Sequence, residues 1–474
     1  MYGTLWKLLC LFLVFAMLAA CAPAAPAVQP AVETVVVVET VEVIVEGTPQ
    51  IVEREVLVTP TSRPAPSEIV LEVWTKYAPG SNQARRDAFE NARALWNEQH
   101  PETQIVHVSF ASSEYRRAGT LAMFSDQAGC VVNAETGGAQ LVPWVNEDKL
   151  LSLDELAAEN DWLSRDAGDF IRQMNLAFPA SDLHDGPQIY GVPIWFQPLG
   201  VFYNKDVFEE NGLEVPTTYQ EFEEILMTLQ DAGYRPLAFG GATAGVSLHA
   251  LSTLVAANVD MDRYLDWWNA TDPNVKFTDP DFLWAAQELS EWSEAGYLSE
   301  DALALSFNDG IGKFVSGEQP MTITGDFAMT SFLEAEFPVG FFPIPPNDPN
   351  IPWASVQMGD WPMAVPVACE FPEQALEFVN FLTSPETARF IAEAGLQPVF
   401  DYDATGITPN PIQQEIAEGV EGKLSAFYID IVDPEVASMM GPSAQLVVDG
   451  SLSPEEFAEQ VQAAREKYLR ESGQ

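Results

Sequence analysis

The run Leu199 to Tyr203 is apolar, lacks a helical period and stops at Asn204, Lys205 and Asp206, the pattern of a buried strand closed by a turn. Val207 to Asn211 is then a short helical segment halted by Gly212. After Pro216, Thr218 and Glu221 stand at capping-box spacing. Phe222, Ile225, Leu226 and Leu229 share one helical face before Gly233 ends the helix. A buried strand therefore delivers the chain into a new packed unit.

A chain of 474 residues is too long for one core and implies two or three domains, which 47% hydrophobic residues can fill. Its 70 acidic residues against 22 basic ones leave a net charge of −48. That field repels phosphate backbones and anionic membrane surfaces, so nucleic acid is not an expected partner. Acidity identifies no ligand.

At the N-terminus, Lys7 precedes an apolar run from Leu8 to Ala20, too short to span a bilayer but right for a signal peptide over residues 1–20. Leu18-Ala19-Ala20-Cys21 resembles the lipobox cut by signal peptidase II, which implies a lipid on Cys21 and a membrane-anchored, extracytoplasmic protein at the cell envelope. Residues 21–67 then read as an anchor and extended tether. Their Val/Glu alternation has strand period but no obvious partner strand, and Pro and Thr close it at Thr59 to Pro66. A small satellite hairpin is the alternative.

From Glu68 onward the pattern is regular. Ile69 to Trp74 is a strand, Gln83 to Gln99 a helix with Phe89, Leu95 and Trp96 inward, and Gln104 to Phe110 a second strand. A helix from Ser113 to Gln127, a strand from Cys130 to Asn133 and a helix from Gly137 to Glu147 follow. Alternation of this kind implies a parallel sheet covered on both faces, with ligands gathering at the carboxyl ends of its strands. Thr75 to Tyr77 and Asn133 to Thr136 are those ends. Farther on, Pro236 to Phe239 is a strand, and Gly240 to Gly245 matches neither a dinucleotide loop nor a P-loop. Pro343, Pro345, Pro346, Pro349 and Pro352 form a connector that cannot be helix. Trp361 to Val367 reads as a strand, and helices run from Pro372, Pro385 and Pro454.

The stretch Y-G-V-P … V-F-Y-N-K-D-V-F … G-L … P-T-T-Y-Q-E-F, from Tyr190 to Phe222, resembles the family 1, carbohydrate-type extracellular solute-binding proteins that serve ABC importers. A second likeness lies in F-V-S-G-E and M-T-I-T-G-D-F, ending at Phe327, and a third in A-L-E-F-V-N-F-L-T-S-P-E-T-A-R-F. The resemblance implies an α/β, two-lobed periplasmic-binding-protein type II fold, each lobe a mixed, mostly parallel sheet flanked by helices. Lobe one would take residues 68–200 and 353–398, and lobe two residues 201–352 and 399–474. The strand at Leu199 would be the first crossing between them and Pro398 would mark the third. Cys130 and Cys369 would then sit on antiparallel neighbours in one sheet, either as a disulfide or as two buried thiols.

The resemblance also implies a ligand held between the lobes: a sugar or oligosaccharide passed to ABC permease subunits by a monomeric, lipid-held receptor. Aligned to the family, Gln197 falls at a ligand-contacting glutamate, Phe327 at a stacking tryptophan and His249 at a contacting tyrosine. Ala437 to Met440 offers no counterpart to an aromatic platform, which argues against long malto-oligosaccharides. On cleft loops or strand ends, Lys76, Tyr77, Glu135, Thr136, Trp195, Asp326, Asp360 and Trp361 complete the candidate binding set.

Catalytic patterns are missing. His100, His107, His184 and His249 are scattered without metal-ligand spacing, and neither H-E-x-x-H nor G-x-S-x-G occurs, so no metal, no cofactor and no enzyme activity are expected. A polysaccharide-acting enzyme needs only two placed carboxylates and stays open, as do a polyamine, a phosphate ester or a peptide in place of sugar.

Overall fold

The computed structural model describes residues 35–45, 48–58, 69–79, 83–165, 168–175, 178–400, 405–421, 424–426 and 433–472. The leader, Cys21 and the closing stretch 59–66 lie outside them. The chain divides into two units, Met1–Pro66 and Ser67–Gln474.

In the first unit, β1 (Val35–Val45) and β2 (Thr48–Val58) pair antiparallel along their whole length, from Val35 opposite Val58 to Val45 opposite Thr48. The Val/Glu alternation thus finds the partner that its pattern did not reveal in the second half of its own segment. Each half has strand period, so each can satisfy the backbone groups of the other.

In the second unit the strands follow as β3 (Ile69–Thr75), β4 (Thr103–Ser109), β5 (Val131–Asn133), β6 (Trp195–Asn204), β7 (Leu237–Ala238) and β8 (Met321–Gly325). After these come β9 (Val339–Phe342), β10 (Ala354–Gly359), β11 (Met363–Ala364), β12 (Gln397–Pro398) and β13 (Leu424–Ala426). They form two sheets. One has the order β11-β5-β3-β4, and the other the order β13-β10-β6-β8-β7 with β9 and β12 also on β6. In the first sheet β3 runs parallel to β4 and β5, and only β11 is antiparallel. In the second, β6 is antiparallel to β8, β9, β10 and β12, so parallel pairing is confined to β7 with β8 and β10 with β13.

Two large cores correspond to the two sheets. Leu71, Val73, Phe89, Trp96, Trp162 and Phe378 belong to one; Phe222, Leu251, Phe282, Trp292 and Phe457 belong to the other. Strand β6 passes between them. Trp195 is buried in the first core, while Leu199 and Val201 are buried in the second. The apolar run that predicts a strand is therefore only the second half of β6. Its first half pairs with β10, Gln197 opposite Met358, and with β12, Trp195 opposite Pro398.

Local signals account for much of the rest. The helix Tyr219–Asp231 starts on a capping box in which Thr218 accepts from the Glu221 amide and Glu221 accepts back from the Thr218 amide, with Phe222, Ile225, Leu226 and Leu229 buried. Gly233 closes it at φ +95°, the left-handed conformation that favours glycine. The helix Gln83–Gln99 keeps the bounds its pattern predicts. Cys130 and Cys369 are joined as a disulfide, Cα atoms 4.7 Å apart, where β5 and β11 run antiparallel.

Other elements differ from the pattern. The helix predicted from Gly137 to Glu147 divides into a short turn, Gly137–Ala139, and Leu141–Asn146, because Gln140 departs from helical geometry at φ −141°. The strand predicted from Trp361 to Val367 shrinks to β11, since Pro362 and Pro366 bring no amide to a ladder. Val399 and Phe400, just past Pro398, pack in the first core. No helix among the described residues is long and apolar enough to cross a membrane.

Candidate functional site

Strand β3 ends at Thr75, and the next two residues, Lys76 and Tyr77, are buried. Lys76 Nζ lies 2.6 Å from Asp360 Oδ1, and the Tyr77 hydroxyl donates to Asp360 Oδ2 at 2.7 Å. Asp360 follows β10 and is 1% exposed. Burial alone would raise its carboxyl, but Lys76, Arg85 and the Tyr77 hydroxyl together hold it below its ordinary value. The same burial lowers the Lys76 ammonium to about 8, against the pull of Asp360. Tyr77 is pushed well above its ordinary value by burial and by the neighbouring Asp360 charge, so it stays a hydroxyl donor.

Asn133, at the end of β5, ties this group together. Its amide nitrogen donates to the Tyr77 oxygen at 3.2 Å and to the Trp361 carbonyl at 2.9 Å, and its oxygen accepts from the Lys76 amide at 3.3 Å. The Trp361 ring lies 4.2 Å under Lys76 Nζ, with the Arg116 guanidinium 5.7 Å from it. Arg116 forms a two-pronged pair with Glu135. Trp195 stacks near Tyr77, centroids 5.1 Å apart, and its carbonyl accepts from the Asp360 amide at 3.2 Å.

The second sheet contributes the other half. The β6–β8 ladder ends with Leu199 opposite Gly325, and Gln197 and Phe327 each lie two residues beyond that pair. Asp326, 2% exposed, is raised to about 7, first by burial and then by Asp360, with Arg85 opposing. Phe327 rests against His249 at 5.4 Å and Phe307 at 5.8 Å. His249 is driven down to about 4 by burial and is neutral. Arg85, from the first turn of the helix Gln83–Gln99, reaches across with its guanidinium 6.0 Å from the Phe327 ring.

The structure therefore gathers Lys76, Tyr77, Trp195, Asp360 and Trp361 in one contact network, and His249 with Phe327 in a second. Arg85 and Asp326 stand between the two. Glu135 reaches the first network through Arg116 and through its charge on Lys76, Thr136 is the buried residue preceding the turn Gly137–Ala139, and Gln197 joins through its backbone pairing in β6. The sequence marks Asn133 as a strand end but leaves it out of the binding set, and it gives Arg85 no place there at all. A cation in the first turn of a helix opposes the helix dipole, so Arg85 carried a readable signal of a tertiary role.

The chain belongs to the bacterial extracellular solute-binding proteins, the family that its residues 79–389 match. A multiple sugar-binding protein of Streptococcus mutans is 23% identical over 246 residues, 50% of this chain and 55% of the relative. The chain thus matches about half the length of that curated relative. Among solved structures, a chitin oligosaccharide binding protein superposes with a TM-score of 0.73 at 19% identity, covering 84% of this chain and 98% of the other. A sugar transporter of Bacillus licheniformis in complex with stachyose gives 0.64 at 17% identity, covering 85% and 100%. At these identities the likeness is one of fold: two α/β lobes of the type II periplasmic binding proteins.

Proposed function

We propose that this protein captures a sugar or oligosaccharide between two hinged lobes, residues 68–200 with 353–398 and residues 201–352 with 399–474, and delivers it to an ABC permease. A lipid on Cys21 would hold it at the outer face of the membrane, and it would catalyse no reaction on its ligand. One observation carries the reading. Around the β6 junction, Trp195 Nε1, Gln197 Nε2, Thr324 Oγ1 and Asp326 Oδ1 are buried without a hydrogen-bond partner among the described residues, the Trp195 ring lies 5.1 Å from that of Tyr77, and Asp326 directly precedes Phe327. Buried polar groups left unpaired are costly, so such a group invites a ligand that supplies the partners. Sugars present hydroxyl rims and apolar C–H faces, which suit unpaired donors and acceptors beside rings.

The similar proteins support the class: a multiple sugar-binding protein, a chitin oligosaccharide binding protein and a sugar transporter in complex with stachyose. A micromolar ligand corresponds to about −8 kcal/mol. Several rings at roughly 0.5–1.5 kcal/mol each, together with a hydrogen-bonded rim, are of the right size to supply it. Closure would follow because the ligand gains contacts only in the closed arrangement.

A thermal-shift panel of raffinose, stachyose, galactose, xylo-oligosaccharides and chito-oligosaccharides tests the ligand class, because a compound that binds only the folded state raises Tm. At least one sugar is expected to raise it. A shift with a polyamine, phosphate ester or peptide and none with any sugar would overturn the carbohydrate reading, and hydrolysis products from the same panel would overturn the non-catalytic one.

A further inference from the structure

Behind the Lys76–Tyr77 turn lies a polar circuit that the binding set does not include. We propose that Glu90 and His107 are positioning residues for the ligand site, acting through Thr75 and Arg86 to hold the Tyr77 backbone at both ends. The inference rests on the reading of Lys76 and Tyr77 as ligand-facing residues.

One arm runs through His107. Its Nδ1 is 2.7 Å from Glu90 Oε1, and its Nε2 is 2.7 Å from Thr75 Oγ1. The Tyr77 amide donates to that same Thr75 oxygen at 3.1 Å. Burial lowers the His107 imidazole below its ordinary value, against the pull of Glu90 and with Arg86 and Arg93 adding to the effect. A neutral ring fixes every proton in the arm: Nδ1–H donates to Glu90, Nε2 accepts the Thr75 hydroxyl, and the Thr75 lone pairs accept the Tyr77 N–H. The other arm runs through Arg86, whose guanidinium lies 3.4 Å from Glu90 Oε1 and donates to the Tyr77 carbonyl at 3.1 Å and to Ser109 Oγ at 2.8 Å. Arg93 holds the second Glu90 oxygen at 2.7 Å. Both ends of residue 77 thus trace back to one carboxylate on the helix Gln83–Gln99.

The circuit joins three packed elements, namely β3, β4 and that helix, to the buried two-residue turn that follows β3. Its effect is to aim the Tyr77 hydroxyl and the Lys76 ammonium at Asp360 before a ligand arrives. Preorganisation of this kind sharpens a site by removing the ordering cost at binding.

Amide hydrogen exchange on the whole protein, without sugar, reads the clamp directly. In Thr75→Val, which keeps the shape and loses the hydroxyl, and in His107→Phe, the Tyr77 amide is expected to exchange at least about tenfold faster, while amides within β3 and β4 change little. Thr75→Ser is expected to restore the slow rate. An unchanged Tyr77 amide in Thr75→Val, or acceleration spread equally over β3 and β4, would overturn the proposal by reducing the circuit to general support of the sheet. Raffinose or stachyose affinity measured on the same variants is a separate readout. A failure of every sugar to bind would count against the carbohydrate reading and leave the exchange result to decide the clamp.

Discussion

Lys76 and Asp360 form a buried ion pair, 2.6 Å apart with side chains 10% and 1% exposed, and the Tyr77 hydroxyl completes the carboxylate's shell. A pair taken out of water gains little over a well-packed apolar replacement, but removing one member strands the other. Asp360→Asn is therefore expected to destabilise the protein by about 3–5 kcal/mol. The double variant Lys76→Met, Asp360→Leu is expected to recover most of that loss. Urea denaturation of the single and double variants checks this, and equal losses in both would show that the pair itself, rather than the stranded charge, sets the cost.

Asp326 and His249 give the stability opposite dependences on pH. Asp326 is raised to about 7 by burial, so the folded state favours its protonated form. Its contribution is fully present below the ordinary Asp value and is lost as pH rises through about 7. A displacement of that size corresponds to something on the order of 4 kcal/mol at most. Asp326→Asn is expected to raise Tm at pH 8 and to change it little at pH 4. His249, lowered to about 4 by burial, is held neutral, so its contribution is present above the ordinary His value and is lost as pH falls from there toward about 4. Melting curves of Asp326→Asn and His249→Gln from pH 4 to 8 test both signs.

The fold was legible wherever a local signal dictated local structure. The capping box at Thr218, the face Phe222, Ile225, Leu226 and Leu229, and the helix Gln83–Gln99 all read directly from spacing. Strand β10 did not, because its extended form depends on pairing with β6, and Pro349 and Pro352 before it and Gly359 at its end look like loop. The β1–β2 ladder corresponds to the hairpin that the sequence leaves as the alternative to a tether, because strand period alone does not say whether a segment finds a partner. For the site, strand ends pointed to Lys76, Tyr77 and Trp361 and a loop position to Asp360, and the structure brings the four together. Asn133 was legible as a strand end, but its task in tying Lys76 and Tyr77 together depends on contacts that only the fold brings about.

The Cys130–Cys369 disulfide closes a sequence separation of 239 residues and staples β11, which returns to the first sheet late in the chain, to β5. In the chain-entropy view a loop of that size constrains the unfolded state by about 5 kcal/mol, with native-state effects able to offset part of it. The Cys130→Ser, Cys369→Ser variant is expected to lose several kcal/mol of stability by urea denaturation, and the oxidised wild type treated with reductant is expected to match it. Equal midpoints for the wild type with and without reductant would show that the crosslink contributes nothing measurable.

Gly325 fixes the placement of Phe327. A Cβ at 325 would run into the Phe327 ring, so the ring lies over the glycine, flanked by His249 and Phe307. Two changes therefore separate the presence of the ring from its position. Phe327→Ala removes a stacking face and is expected to weaken sugar binding roughly tenfold, the scale of one aromatic contact. Gly325→Ala keeps the ring but forces it off its seat, and is expected to weaken binding by a similar factor while the far side of the second core, around Trp292 and Phe457, stays intact. Calorimetry with the sugar that gives the largest thermal shift checks both. Wild-type affinity in Gly325→Ala alongside a loss in Phe327→Ala would mean that the ring works from more than one position, and unchanged affinity in both would remove Phe327 from the binding set.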